Sequence, residues 1–230
     1  MRCKKLAVFT TFFSTIIFAT SITAHAMLVG PFSGSHSSPP QDELVPKKSD
    51  KGDPSSMKSN EIELELTFLA KEKPSEIDGV EPEIMVDTYI PKSGFADLRI
   101  RKRGKIFEIT KKIPLKPGDY SVMKELTIPL SEEEYEELSS VGNRKVFKHR
   151  YSVGIEGYPA EVDVFQEDLL GLVLIDFEFK NELQKESFKI PAVCLADVTQ
   201  ESFIAGGKLA GKKFEDITSD LSRFGYSPIF

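Results

Sequence analysis

The stretch Glu61-Ile62-Glu63-Leu64-Glu65-Leu66 alternates strictly between carboxylate and aliphatic side chains. Side chains along a β-strand alternate between its two faces, so these carboxylates share one face and the apolar groups the other. The alternation returns downstream with a change of sign. Arg99-Ile100-Arg101-Lys102-Arg103 sets three guanidinium groups on one face, while Glu161-Val162-Asp163-Val164-Phe165 and Ile175-Asp176-Phe177-Glu178-Phe179 again space acids two residues apart. A single strand of this kind suits an ordinary sheet with one wet, mixed-charge face. Several that segregate acids from bases suit a charged interior.

Around that stretch the signals are mainly those of strands, over 61–70, 82–90, 97–103, 105–112, 122–128, 145–155, 159–166 and 171–180. Turn residues separate them: Pro91-Lys92-Ser93-Gly94, Arg103-Gly104, Pro117-Gly118-Asp119 and Glu156-Gly157. Arg103-Gly104-Lys105 is short enough for a tight hairpin. Ser131-Glu132-Glu133-Glu134 forms a capping box that opens a helix to about residue 140. Further helices are expected over 181–188, 200–210 and 212–223, with Gly225 as a stop. Antiparallel strands with helices inserted and appended predict an α+β fold built on a closed antiparallel β-barrel with a few peripheral helices.

The 230-residue chain is 40% hydrophobic and 29% charged, ordinary for one globular domain with a sizeable core. Its slightly negative mean hydropathy excludes a multispan membrane protein. Residues 1–26 read as a signal peptide. Arg2, Lys4 and Lys5 precede an apolar run from Leu6 to about Ile22, and Ala24-His25-Ala26 has the small-x-small form of a cleavage site. Export to the periplasm or the medium follows from that reading. An uncleaved membrane anchor, or translation starting at Met27 or Met57, are the alternatives. Residues 27–59, rich in Ser, Pro, Gly, Lys and Asp, read as a flexible linker, and 60–230 as the globular domain. Removing residues 1–26 takes away three bases and no acid, which moves the net charge from −6 to −9. So acidic a domain is not a nucleic-acid binder, because that affinity comes largely from neutralising phosphates. Any anion it holds must meet a local cluster of bases. Cys194 is the one cysteine outside the signal and reads as a buried small residue.

Parity places Glu61, Glu63, Glu65 and Thr67 on one face of the first strand. Arg99, Arg101 and Arg103 share a face, as do Glu108, Thr110 and Lys112, then Glu125 and Thr127, Lys148 and Arg150, Glu161 and Asp163, and Asp176 and Glu178. His149 falls on the apolar parity and reads as packed. Clustered carboxylates repel unless solvated or neutralised, and they are natural ligands for hard cations such as Mg²⁺ or Mn²⁺. Clustered Arg and Lys suit phosphate. Both sets in one barrel point to a polyphosphate held between bases and metal ions. Gly206-Gly207-Lys208-Leu209-Ala210-Gly211-Lys212 has the spacing of a P-loop. Lys213 follows instead of Ser or Thr and no hydrophobic strand precedes it, so the motif is rejected.

From residue 61 to about 217 these features resemble, in order, the CYTH superfamily of triphosphate tunnel metalloenzymes. Glu63-Leu64-Glu65-Leu66-Thr67 is similar to that family's opening Glu-x-Glu-x-Lys. Arg99-Ile100-Arg101 resembles its Arg-x-Arg, Thr110-Lys111-Lys112 its Thr-x-Lys, and Lys148-His149-Arg150 its Lys-x-Arg. The stretches 161–165 and 171–179 resemble its most recognisable segment, and Asp197-Val198-Thr199 its late Glu-Val-Thr. The resemblance implies a barrel with a polar tunnel that binds a small molecule carrying a triphosphate, with Mg²⁺ or Mn²⁺, and hydrolyses or cyclises it. It assigns Glu63, Glu65, Asp176 and Glu178 to metal, and Arg99, Arg101, Lys112, Lys148 and Arg150 to phosphate. Glu125, Glu161 and Asp163 are assigned to a second metal, its water or a base. The departures are Thr67 for the motif lysine, Thr127 where many members carry Glu, and Asp176 and Asp197 for Glu. The readings left open are a triphosphatase, an anion-binding module with impaired catalysis, and an adenylate cyclase of the class IV type, with a monomer or homodimer equally compatible.

Overall fold

The computed structural model describes residues 61–91 and 98–230, without the side chain of Glu61. The expected signal at 1–26, the linker at 27–59 and the turn at 92–94 lie outside the described residues. Nine strands are present among those described: β1 Glu61–Ala70, β2 Glu83–Ile90, β3 Leu98–Arg103, β4 Ile106–Lys116, β5 Asp119–Leu130, β6 Arg144–Ile155, β7 Tyr158–Phe165, β8 Val173–Phe179 and β9 Cys194–Asp197. They pair antiparallel in the order β5-β4-β3-β2-β6-β7-β8-β1, and pairing of β5 with β1 closes the ring. The expected closed antiparallel barrel is therefore the observed fold. Strand β9 pairs with the last residues of β1.

Local chemistry explains the connections. The β6–β7 hairpin turns at Glu156 and Gly157, both with positive φ (48° and 88°), the conformation of the tight turns whose twist matches paired strands. The expected capping box holds: Ser131 Oγ accepts from Glu134 N at 3.2 Å and Ser131 N donates to Glu134 at 2.7 Å, opening α1 Glu132–Ser140. Phe107 and Tyr135, with ring centroids 5.0 Å apart, seat that helix on β4.

Three expectations need correction. Strand β4 runs past 112 to Lys116 and β5 begins at Asp119, with a register shift near Pro114, which lacks a backbone donor. The helix expected over 200–210 is a single-turn 3₁₀ segment, Ser202–Ile204, then an extended Ala205 and a short α3, Gly206–Leu209. Two consecutive glycines are poor helix formers, which limits this stretch. The short helix after β8 is α2 Glu182–Glu186, and the last is α4 Phe214–Ser222. Strand β9 was not anticipated.

Two apolar clusters fix the barrel. Leu69, Tyr89, Val146, Phe165 and Leu174 share the parity of the charged interior residues. They pack against Val198, Phe203, Ile204, Leu209, Ile217 and Leu221 of the C-terminal segment. One end of the interior is thus apolar and backed by α3 and α4. On the outer face of β1, β7 and β8, Phe68, Val162, Ile175 and Phe177 pack beneath Phe188, whose ring lies 4.8 Å from those of Phe177 and Tyr158. Cys194 is buried there, and burial pushes its thiol up to about 12. No described helix is long and apolar enough to cross a membrane.

Candidate active site inside the barrel

Barrel register converts the sequence alternation into a ring of inward-facing charge. Lys112 lies opposite Glu125, Arg99 opposite both Thr110 and Tyr89, and Arg101 opposite Asp87. Continuing round, Arg150 lies opposite Glu83 and Asp163, Glu161 opposite Asp176, Asp176 opposite Thr67, and Glu178 opposite Glu65. All the site residues expected from sequence fall on this ring.

The ring divides into three groups. In the first, Lys112 Nζ lies 2.5 Å from Glu63 Oε2, 3.6 Å from Glu65 Oε2 and 3.5 Å from Glu125 Oε2. Glu63 Oε2 is buried, and Lys112 is the cation that faces it. Burial, more than Lys112 can offset, pushes the Glu63 carboxyl up to about 7, with Glu125 adding repulsion. Burial raises Glu65 as well, but Lys112, Arg150 and the Thr67 hydrogen bond outweigh it and hold Glu65 below its ordinary value. Burial opposes ionisation of Glu125 too, yet Lys112 and a hydrogen bond from Thr127 (2.7 Å) bring it down to about 2.

In the second group Arg150 donates through Nε and Nη2 to Asp163 at 2.7 and 2.6 Å, pairs with Glu161, and approaches Asp176 at 3.5 Å. Lys148 pairs with Asp163 as well. Asp163, 2% exposed, is held well below the usual carboxylate range because Arg150 and Lys148 outweigh its burial. Asp176 moves the other way. Burial, then Glu65 and Asp163, raise its carboxyl well above normal despite Arg150. The Thr67 hydroxyl donates to it at 2.8 Å and lies 3.2 Å from Glu65. Glu178 stands at the more exposed end of its strand, and partial desolvation of its carboxyl, then Glu161 and Glu65, raise it.

The third group was not foreseen as a unit. Arg101 donates from Nε and Nη2 to Asp87 at 2.6 and 2.8 Å, both residues being buried. Arg99 lies beside them with its Nε buried and unbonded. Sequence reasoning missed Asp87, an isolated acid between Val86 and Thr88. Its one signal was parity, since Met85, Asp87 and Tyr89 share a face. Asp197 accepts from Thr199 N and Oγ1 at 2.9 and 2.6 Å, and Thr199 Oγ1 accepts from Thr67 N at 3.0 Å, so this late motif ties β9 to β1 next to Thr67.

A closed ring of eight antiparallel strands has its inner face lined by paired acids and bases in the order the sequence motifs dictate. This is the closed antiparallel barrel with a charged interior that the resemblance implies. In this barrel burial is the main reason that Glu63, Asp176 and Glu178 resist ionisation, and neighbouring acids add to it. Among the described residues no three carboxylates converge as a ready metal cage; they gather around Lys112 and Arg150 instead. The donor chemistry nevertheless fits a hard divalent cation, because it is all oxygen and carries surplus negative charge. Two surface depressions lie outside this ring, one beside Tyr120, Ser202 and Ala205, the other beside Asn143, Gln166 and Gly211. They do not bring the charged residues together.

No protein-family model matches the chain and no curated protein matches it. Among solved structures, the inorganic triphosphatase NE1496 is similar at 26% identity, covering 64% of this chain and 93% of its own, with a TM-score of 0.47. A second structure of NE1496 gives 27% identity and the same TM-score. A candidate adenylate cyclase from Bacillus halodurans is similar at 17% identity, covering 74% of this chain and 94% of its own, with a TM-score of 0.42.

Proposed function

We propose that this chain is a metal-dependent hydrolase of inorganic triphosphate or a small organic triphosphate, acting inside the barrel. The observation that carries the reading is the division of the inner ring into a surplus-acid side, centred on Glu63, Glu65, Asp176 and Glu178, and a base-rich side, with Arg99, Arg101, Lys148 and Arg150. A linear polyanion fits between them only if a cation neutralises the acid side.

Glu63, Glu65, Asp176 and Glu178 would hold Mg²⁺ or Mn²⁺. When bound, such a cation polarises a phosphoryl oxygen and activates water. Arg99, Arg101, Lys148 and Arg150 bind and orient the phosphates, and Arg99 Nε is a buried donor in want of an acceptor. Lys112 joins them once it leaves the carboxylates. Glu125 and Glu161 are carboxylates that can take the proton of the attacking water or hold a second cation. Asp163, locked by Arg150 and Lys148, contributes by orienting those bases. Export by residues 1–26 belongs to the same proposal and favours inorganic triphosphate over ATP.

A second reading is favoured by Thr67. Where the resembled motif has lysine, the Thr67 hydroxyl bonds Asp176 and Glu65 and supplies no positive charge. The barrel would then bind triphosphate and turn it over slowly or not at all. Calorimetry with tripolyphosphate and Mg²⁺, run beside a phosphate-release assay, separates the two: binding with release supports the hydrolase, binding without release the impaired module, and neither sinks both.

A further inference from the structure

We propose that Asp87 is a positioning residue that presents Arg101 to the anion. The inference rests on the triphosphate reading above. The Arg101 guanidinium meets Asp87 side-on, through Nε and Nη2. That geometry commits two of its nitrogens to the carboxylate and leaves Nη1 as the nitrogen outside the pair. Arg101 shares the inward parity of Arg99, and Arg150 is near enough to repel it. A long arginine side chain among like charges has many rotamers, and ordering it would otherwise be charged against binding. Asp87 has done that ordering beforehand: it is 1% exposed, its partner 5%, and a planar fork on a carboxylate admits one orientation.

The position of Asp87 in the ring supports this role over a purely structural one. Its cross-strand neighbours are Arg101 on β3 and Val146 on β6, and Val146 belongs to the apolar layer backed by the C-terminal segment. Asp87 therefore stands where the apolar end of the barrel meets the charged ring, and it anchors Arg101 from below. Arg99 and Lys148 feel the same negative charge. The carboxylate thus offsets part of the repulsion among bases gathered for one ligand without occupying their outer edges. Neither the alternation that revealed the other site residues nor any resembled motif includes it.

The test is a cycle of Asp87→Asn, Arg101→Met and both together, read as the affinity for tripolyphosphate with Mg²⁺ and as thermal stability. Asn keeps the shape and one acceptor, so the fold should survive. The pair can also be replaced whole by Asp87→Leu/Arg101→Met, since apolar groups of similar volume commonly substitute for a buried ion pair. Expected is a loss of about tenfold or more in affinity for Asp87→Asn. In the Arg101→Met background the same change should cost less than about twofold, because Asp87 acts through Arg101. The Leu/Met pair should bind as weakly as Arg101→Met alone. An unchanged affinity in Asp87→Asn, or an equal loss with and without Arg101, overturns the inference. Wild-type protein that does not bind tripolyphosphate overturns the triphosphate reading itself, and this inference with it.

Discussion

Lys112 Nζ lies 2.5 Å from Glu63 Oε2, and the same ammonium stands within 3.6 Å of Glu65 and 3.5 Å of Glu125. One side chain thus occupies the middle of the carboxylate group that a divalent cation would claim. Cation and ammonium compete for the same oxygens, so metal binding should release Lys112 toward phosphate. In the Lys112→Met variant, Mn²⁺ affinity without triphosphate should tighten by about tenfold, because a repelling charge a few ångströms away is gone. Triphosphate affinity should fall. Mn²⁺ titration followed by paramagnetic resonance reads the first effect, and unchanged Mn²⁺ affinity would show that Lys112 does not guard the site.

Glu63 sets a pH dependence. Its carboxyl is raised to about 7 in the folded protein, against 4.5 unfolded. Between those values the folded state holds a proton that the unfolded state has released, so this group's contribution to stability declines as pH rises. The metal-free protein should lose thermal stability from about pH 5 to pH 7, and Glu63→Gln should flatten that part of the profile. Adding Mg²⁺ near pH 6 should release protons, measurable from the buffer dependence of the binding heat.

Thr67 lies opposite Asp176 across the β1–β8 ladder. A lysine there would meet a carboxyl that burial, then Glu65 and Asp163, raise well above normal, and its charge would oppose that rise. Thr67→Lys should increase triphosphate hydrolysis by about tenfold or more, equivalent to about 1.4 kcal/mol of barrier. A loss of activity in a folded Thr67→Lys protein would mean that the hydroxyl, not the missing base, is what the site uses.

Gly206 allows α3 to approach the barrel end. A Cβ built there falls 2.0 Å from the Tyr89 hydroxyl oxygen, so Gly206→Ala must displace that buried ring. The expected cost is about 1–3 kcal/mol, seen in denaturant unfolding. Because Tyr89 stands opposite Arg99, triphosphate binding should weaken too.

Much of this was legible because a strand's period of two is unforgiving. A one-residue slip would turn Glu63 and Glu65 outward and Leu64 and Leu66 in, so the alternation fixed the inner face strand by strand. The glycine-bearing turns at 104 and 157 set the hairpins for an equally local reason. What escaped was non-local. Strand β9 is four residues long and exists because the end of β1 offers it an edge. Asp87 carries no run of charge, and its meaning comes from Arg101 across the sheet. The neutralisation of Glu65 by Lys112, or of Asp163 by Arg150, depends on which strands close the ring, a relation that no single segment encodes.

The most direct test is phosphate release from tripolyphosphate by the purified protein, with Mg²⁺ or Mn²⁺ and after chelation, for wild type and a Glu63→Ala/Glu65→Ala double variant. The account predicts metal-dependent release that the double variant abolishes while remaining folded. Release at the full wild-type rate from that variant would contradict the placement of the site on the acid side of the barrel.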